Sequence, residues 1–208
     1  RMLLALAKHD FVEQNSENRK YRLGRGFLRL ARIREATVPL SHAAQEVADW
    51  LANTVGETVH ISVPAGEGMT TVSYCMPPKG HVINIFPSQI LPFDATSFGI
   101  SFLSFASPET QQRILALKRF RATDFALASK RDVLAKLEET RTQGYATTRS
   151  LLEVEVASVG MPFFVDHGDR AGAIAIAVPE STLNEDRIAE LLVPLRQAVG
   201  KLENALAG

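Results

Sequence analysis

The fold turns on residues 156–179, which read Val156-Ala-Ser-Val-Gly-Met-Pro-Phe-Phe-Val165, then Asp166-His-Gly-Asp-Arg170, then Ala171-Gly-Ala-Ile-Ala-Ile-Ala-Val-Pro179. Two apolar runs flank a short polar stretch in which Gly168 can take the positive φ of a tight reversal, so the segment is expected to form a β-hairpin. Side chains alternate across a strand. Ser158 and Gly160 on the first run, and Ala173, Ala175 and Ala177 on the second, are small residues at alternate positions, so each set lies on one sheet face and leaves space there. A helix packed closely on that face and a pocket for a small molecule are both consistent with it, and these residues alone favour the helix.

The rest of the chain supplies the surroundings. Leu40, Ala44, Val47, Leu51 and Val55 mark a helix with one buried stripe, ended by Gly56. Residues 57–65 alternate Val59, Ile61 and Val63 against Thr58, His60 and Ser62, as a half-buried strand does. Gly66-Glu67-Gly68 turns the chain into a second strand, 69–76, which stops at Pro77-Pro78, and 81–85 reads as a third. His60 and Cys75 fall on neighbouring strands; partly exposed sheet positions explain them better than a metal site, which needs more ligands. Asp94 is expected to cap a helix starting at Ala95, whose free amides suit a carboxylate, although ordinary capping explains the pattern better. Ser107-Pro108 opens a helix to about Lys118, Ser129 caps one from Lys130 to Gln143, and a C-terminal helix starts near Asn184 with a kink expected at Pro194.

At the other end, residues 1–34 carry nine Lys or Arg against three acids, a net +6, so the remainder of this formally neutral chain totals −6 from 14 bases and 20 acids. One basic end on a neutral protein suits a polyanion. Met2 to Lys8 reads as the end of a helix that begins upstream, and Phe11 to Leu23 as a hairpin with polar tip residues and Arg19, Lys20 and Arg22 on its return arm. That order matches the second half of a winged helix, in which these bases and Arg1 would contact DNA; for Arg22 an internal salt bridge is an equal alternative. Leu23 to Ala36 reads as a helix with Leu23, Phe27 and Leu30 on one face and Arg25, Arg29 and Arg32 on the other, suited to pairing with a second copy. The expected organisation is residues 1–24 as a partial winged helix-turn-helix, 25–38 as a linker helix, and 39–208 as one larger domain.

Composition limits the alternatives. At 208 residues and 46% hydrophobic content the chain can bury one substantial core, and its single cysteine excludes an internal disulfide. No bilayer-length apolar run and no signal pattern are present, so a cytoplasmic location is expected, without membrane contact. The five histidines show no metal or triad spacing, no Gly-rich phosphate loop follows a strand, and no cofactor is expected; an enzyme ranks below a regulator. A standalone sensor or interaction module explains the large domain but leaves the basic hairpin idle.

Taken together, Phe11-Val12, the wing closing in Tyr21-Arg-Leu-Gly24, Gly56-Glu-Thr-Val-His-Ile61, the segment 92–99, Gly144-Tyr-Ala146, Pro162 and Val178-Pro179 resemble the isocitrate lyase regulator (IclR) family of bacterial transcription factors over essentially the whole chain. The resemblance implies an α+β chain: a winged helix-turn-helix, here without its front, a linker helix, and an effector-binding domain with a curved antiparallel sheet related to GAF and profilin-like sensors. It further implies DNA and a small-molecule effector as partners, in a homodimer or homotetramer. Carried over by position, it makes Leu91, Phe93, Thr96, Ser97, Phe98, Thr148, Ser158, Met161, Ala175 and Ala177 the candidate effector contacts. This chain departs from the family where a cysteine often stands (Ser158), where a Ser-x-Ser-Gly-Pro run is common (residues 175–179), where an acid pair is common (Thr148-Arg149) and where a base follows Gly99 (Ile100). Two alanines cannot donate to a carboxylate, so an apolar or aromatic effector is expected instead of a small 2-oxo acid.

Overall fold

The computed structural model describes residues 1–37, 40–77, 83, 89–116, 129–165 and 169–207. Its contacts divide the chain into two compact units, residues 1–40 and 41–208.

The first unit runs α1 (Met2–Lys8), β1 (Val12–Gln14), β2 (Tyr21–Leu23) and α2 (Gly26–Thr37). β1 and β2 pair antiparallel with Glu13 opposite Arg22. Asn15 builds the turn: its side-chain oxygen accepts from the Glu17 and Asn18 amides at 2.8 and 3.2 Å. Gly24 closes the hairpin because a Cβ there would lie 2.1 Å from the Asp10 carbonyl oxygen. The Gly24 and Gly26 amides donate to Phe11 and Asp10 carbonyls, both at 2.8 Å. These bonds hold the chain extended past Leu23, so the helix expected from Leu23 starts at Gly26 and Leu23 ends a strand. About 40 residues are too few to bury a core; Leu23, Leu28 and Ile33 are each more than half exposed.

The second unit contains α3 (Leu40–Val55, all but its first residue), β3 (Thr58–Ala65), β4 (Gly68–Cys75), β5 (Ile90–Leu91), α4 (Ser97–Phe105), α5 (Pro108–Ala116), α6 (Lys130–Gln143), β6 (Ala146–Arg149), β7 (Val156–Val165), β8 (Asp169–Pro179), a 3-10 turn (Glu180–Thr182) and α7 (Glu185–Leu206). The strands form one curled sheet in the order β5-β4-β3-β8-β7-β6, antiparallel throughout. Irregularities at Ile61/Ser62 and Phe163/Phe164 bend it. The β7–β8 hairpin forms as expected, while its tip with Asp166, His167 and Gly168 lies outside the described residues, as does the strand expected at 81–85. Ser129 and Gly144 cap α6, and Asn184 caps α7, which runs on through Pro194.

Helices cover both faces. On one, Val59, Ile61, Val159, Ile174 and Ile176 are fully buried, with α7 packed on β7 and β8. α3 lies on the same side, where the Ser73 hydroxyl donates to Gln45 at 2.7 Å. On the other face α4, α5 and α6 build a core from Phe93, Phe98, Phe102, Leu103, Ile114 and Leu137 over the alanines of β8. This double cover corrects the half-buried reading of β3: Thr58 and Ser62 are as fully buried as Val59 and Ile61, and His60 is only 8% exposed. His60 and Cys75 do fall on neighbouring strands, Cys75 partly exposed as expected and His60 buried instead. His60 pairs across the ladder with Tyr74, and Cys75 with Val59, so the two side chains point to opposite faces.

Candidate effector site

Register brings the small residues together. Across β7 and β8, Ser158 faces Ala177, Gly160 faces Ala175 and Pro162 faces Ala173; across β8 and β3, Ala177 faces Thr58 and Ala175 faces His60; across β6 and β7, Thr148 faces Ser158. All stand on one side of the sheet. A packed helix and a cavity divide that face between them. At Gly160 the α4 backbone comes so close that a Cβ would meet the Ser97 carbonyl carbon at 2.8 Å, and the Ser101 hydroxyl donates to the Gly160 carbonyl at 2.8 Å. Towards Ser158, Ala175 and Ala177 the helix gives way to a cavity of about 330 Å³.

Seven of the ten candidate contacts line it: Leu91, Thr96, Phe98, Thr148, Ser158, Ala175 and Ala177. The other three do not. Phe93 is 4% exposed and stacks on Phe102 in the core, with ring centroids 5.8 Å apart. Ser97 is fully buried behind the wall, where its oxygen accepts from Ser158 at 2.8 Å. Met161 is out of phase with Ser158 and Gly160 along β7 and shares the other sheet face with Val159. Arg149 is likewise out of phase with Thr148, and its guanidinium donates to the Leu183 carbonyl.

The structure adds contacts that the sequence did not single out. His60 stands in the wall with its ring 6.2 Å from that of Phe98. Burial holds its imidazole neutral, with a pKa lowered from 6.5 to about 4, and its Nδ1 is buried without a hydrogen-bond partner. Leu151, Leu152 and Glu153 come from the turn joining β6 to β7, and Val156 from the start of β7. Bonds from the Ser150 amide to Val156 and from the Glu180 amide to Glu155, both 2.8 Å, fix the base of that turn. At the helix side, Thr96 caps α4 in place of the expected Asp94, its side chain accepting from the Gly99 amide at 3.1 Å. Asp94 is buried, one carboxylate oxygen lacks a partner, and desolvation raises its pKa.

In the first unit, Arg19, Lys20 and Arg22 lie at the hairpin turn and on its return arm, all exposed, and Arg1 is exposed at the start of α1. For Arg22 the structure shows the internal alternative: it pairs with Glu13 at 2.9 Å.

A curled antiparallel sheet carrying a ligand-sized cavity, in a chain that also holds a basic hairpin, defines an effector-sensing regulator. Residues 36–204 match the family described as bacterial transcriptional regulator IclR, C-terminal, and the chain belongs to the IclR family. It is 26% identical over 210 residues to the HTH-type transcriptional regulator XynR of Escherichia coli K12, covering 99% of this chain and 82% of that protein. It is 28% identical over 177 residues to the glycerol operon regulatory protein of Streptomyces coelicolor, covering 84% and 68%. An IclR transcriptional regulator from Silicibacter sp. TM1040 superposes with a TM-score of 0.93 at 30% identity, over 100% of this chain and 82% of that one. The IclR of Thermotoga maritima shares the fold at a TM-score of 0.78, 18% identity, and 99% and 83% coverage. Proteins of this family are DNA-binding transcriptional regulators and not enzymes, and their C-terminal domain binds the effector. The standalone sensor reading is therefore not favoured. Among the described residues no helix is long and apolar enough to cross a membrane.

Proposed function

We propose that this regulator senses a small, largely apolar or aromatic metabolite in the cavity over Ser158, Ala175 and Ala177, and transmits its presence to DNA contacts made from the basic hairpin. The observation that carries the reading is the cavity itself, whose described lining holds no lysine or arginine. A 2-oxo acid effector would need donors or a cation for its carboxylate, and the alanines supply neither. Leu91, Phe98, Leu151 and Val156 instead offer apolar walls to a ring. Calorimetric titration with toluene, benzoate, pyruvate and glyoxylate tests this: at least one aromatic compound should bind, and tight binding by the 2-oxo acids alone would overturn it.

In the same reading residues 1–24 contribute a winged-helix hairpin, 25–38 a linker helix and 39–208 the sensor; the contact boundary after Leu40 supports the start of the last. Arg1, Arg19, Lys20 and Arg22 lie along phosphates, and the protein works in the cytoplasm as a homodimer or homotetramer. Pairing is supported by apolar surface on α2: Phe27 is 45% exposed and Leu30 47%. Phe27→Asp should weaken self-association by about tenfold or more, since it buries a charge in the seam. Sedimentation analysis reads this directly, and an unchanged profile removes α2 from the dimer contact.

A further inference from the structure

Four hydroxyls stand in the cavity wall, and the protons of three are already used. The Ser158 hydroxyl donates to Ser97 Oγ at 2.8 Å. It has no second proton, so in its 2.7 Å contact with Thr148 Oγ1 the threonine is the donor. Thr96 Oγ1 donates to the Pro92 carbonyl at 3.1 Å while accepting from the Gly99 amide. The fourth, Thr71, sits 3.4 Å from Ser62 Oγ. What Thr96, Thr148 and Ser158 can turn towards the cavity is lone pairs. Charge points the same way. Among the described lining residues there is no lysine or arginine, and the one acid, Glu153, is exposed. The adjacent Arg149 is bonded to Leu183.

We propose that the cavity selects an uncharged, largely apolar ligand carrying a hydroxyl group, whose proton is accepted by Thr148 Oγ1, and that it rejects carboxylates. The inference rests on reading the cavity as the effector site. A carboxylate has acceptors only; set against Thr96, Thr148 and Ser158 it would put lone pairs against lone pairs, with no lysine or arginine in the described lining to offset its desolvation. A hydroxyl brings the proton that the Thr148–Ser158–Ser97 chain lacks at its open end. Such chains strengthen when an added donor polarises the next link. Thr148 is thereby a specificity-determining residue, placed by its register opposite Ser158.

The test uses three probes of one shape, para-cresol, its methyl ether and para-toluate, titrated calorimetrically against the full chain at neutral pH. Para-cresol should bind about tenfold more tightly than the ether, as one satisfied hydrogen bond gives, and para-toluate should show no saturable binding. In Thr148→Val the advantage of cresol over ether should fall to about onefold, a ratio of two ligands taken within the one protein. Toluate binding as tightly as cresol would overturn the inference and leave the apolar cavity standing. Cresol keeping its advantage in Thr148→Val would overturn the role of Thr148. Failure of all three probes to bind would overturn the cavity reading and this inference with it.

Discussion

Gly160→Ala should destabilise the sensor domain by about 2–3 kcal/mol, the upper part of the range for forcing a carbon into a packed core. The added Cβ would lie 2.8 Å from the Ser97 carbonyl carbon, 2.9 Å from its oxygen and 3.0 Å from the Phe98 nitrogen. All three are backbone atoms at the first turn of α4. No side chain can swing away, so either β7 bows or α4 lifts from the sheet. Lifting α4 stretches the Ser101 bond to the Gly160 carbonyl and the Ser158 bond to Ser97, two links that seat the helix beside the cavity. Gly200→Ala provides the opposite sign from the same change. It lies inside α7 with nothing within 4 Å of its Cβ position, so alanine should stabilise by about 0.5–1 kcal/mol through helix propensity alone. Urea unfolding followed by the fluorescence of Trp50, the single tryptophan and a residue of α3 in the sensor domain, reads both. A Gly160→Ala protein as stable as the parent would mean that α4 is not seated on the small-residue face.

That contrast also shows what a sequence can and cannot carry. The hairpin, the alternation that puts Ser158, Gly160, Ala175 and Ala177 on one face, and the caps at Ser129 and Asn184 are local patterns, and they fold as local patterns. Where α4 ends its contact and the cavity begins is not local. It depends on how residues 97–101 meet residues 158–160 across sixty positions of chain, and the small residues are equally compatible with either side of that boundary. Met161 was decidable from alternation, since it shares phase with Val159 and not with Ser158. His60 was not. Its phase on β3 was legible, but its place beside Ala175 depends on the β3–β8 register, and its burial depends on helices that cover both sheet faces. The turn 150–155 lacks glycine; Ser150 and Glu155 both adopt positive φ there, at 48° and 63°, held by bonds from elsewhere in the fold.

His60 gives the second large effect, through pH. Its imidazole titrates at about 4 in the folded protein against 6.5 when free, because burial disfavours the charged form. Between those values the unfolded chain binds the proton and the folded one does not, so acid draws the equilibrium towards unfolding. The contribution of neutral His60 is complete above about pH 6.5 and declines as pH falls towards 4, a total on the order of 3 kcal/mol at 1.36 kcal/mol per pH unit. Groups other than His60 also respond to acid. The difference between the parent and His60→Gln isolates the histidine. The variant should lose about 3 kcal/mol less than the parent on going from pH 6.5 to pH 4, measured by urea unfolding at each pH. Parallel pH profiles for the two proteins would mean that water reaches the ring and the cavity wall at His60 is open.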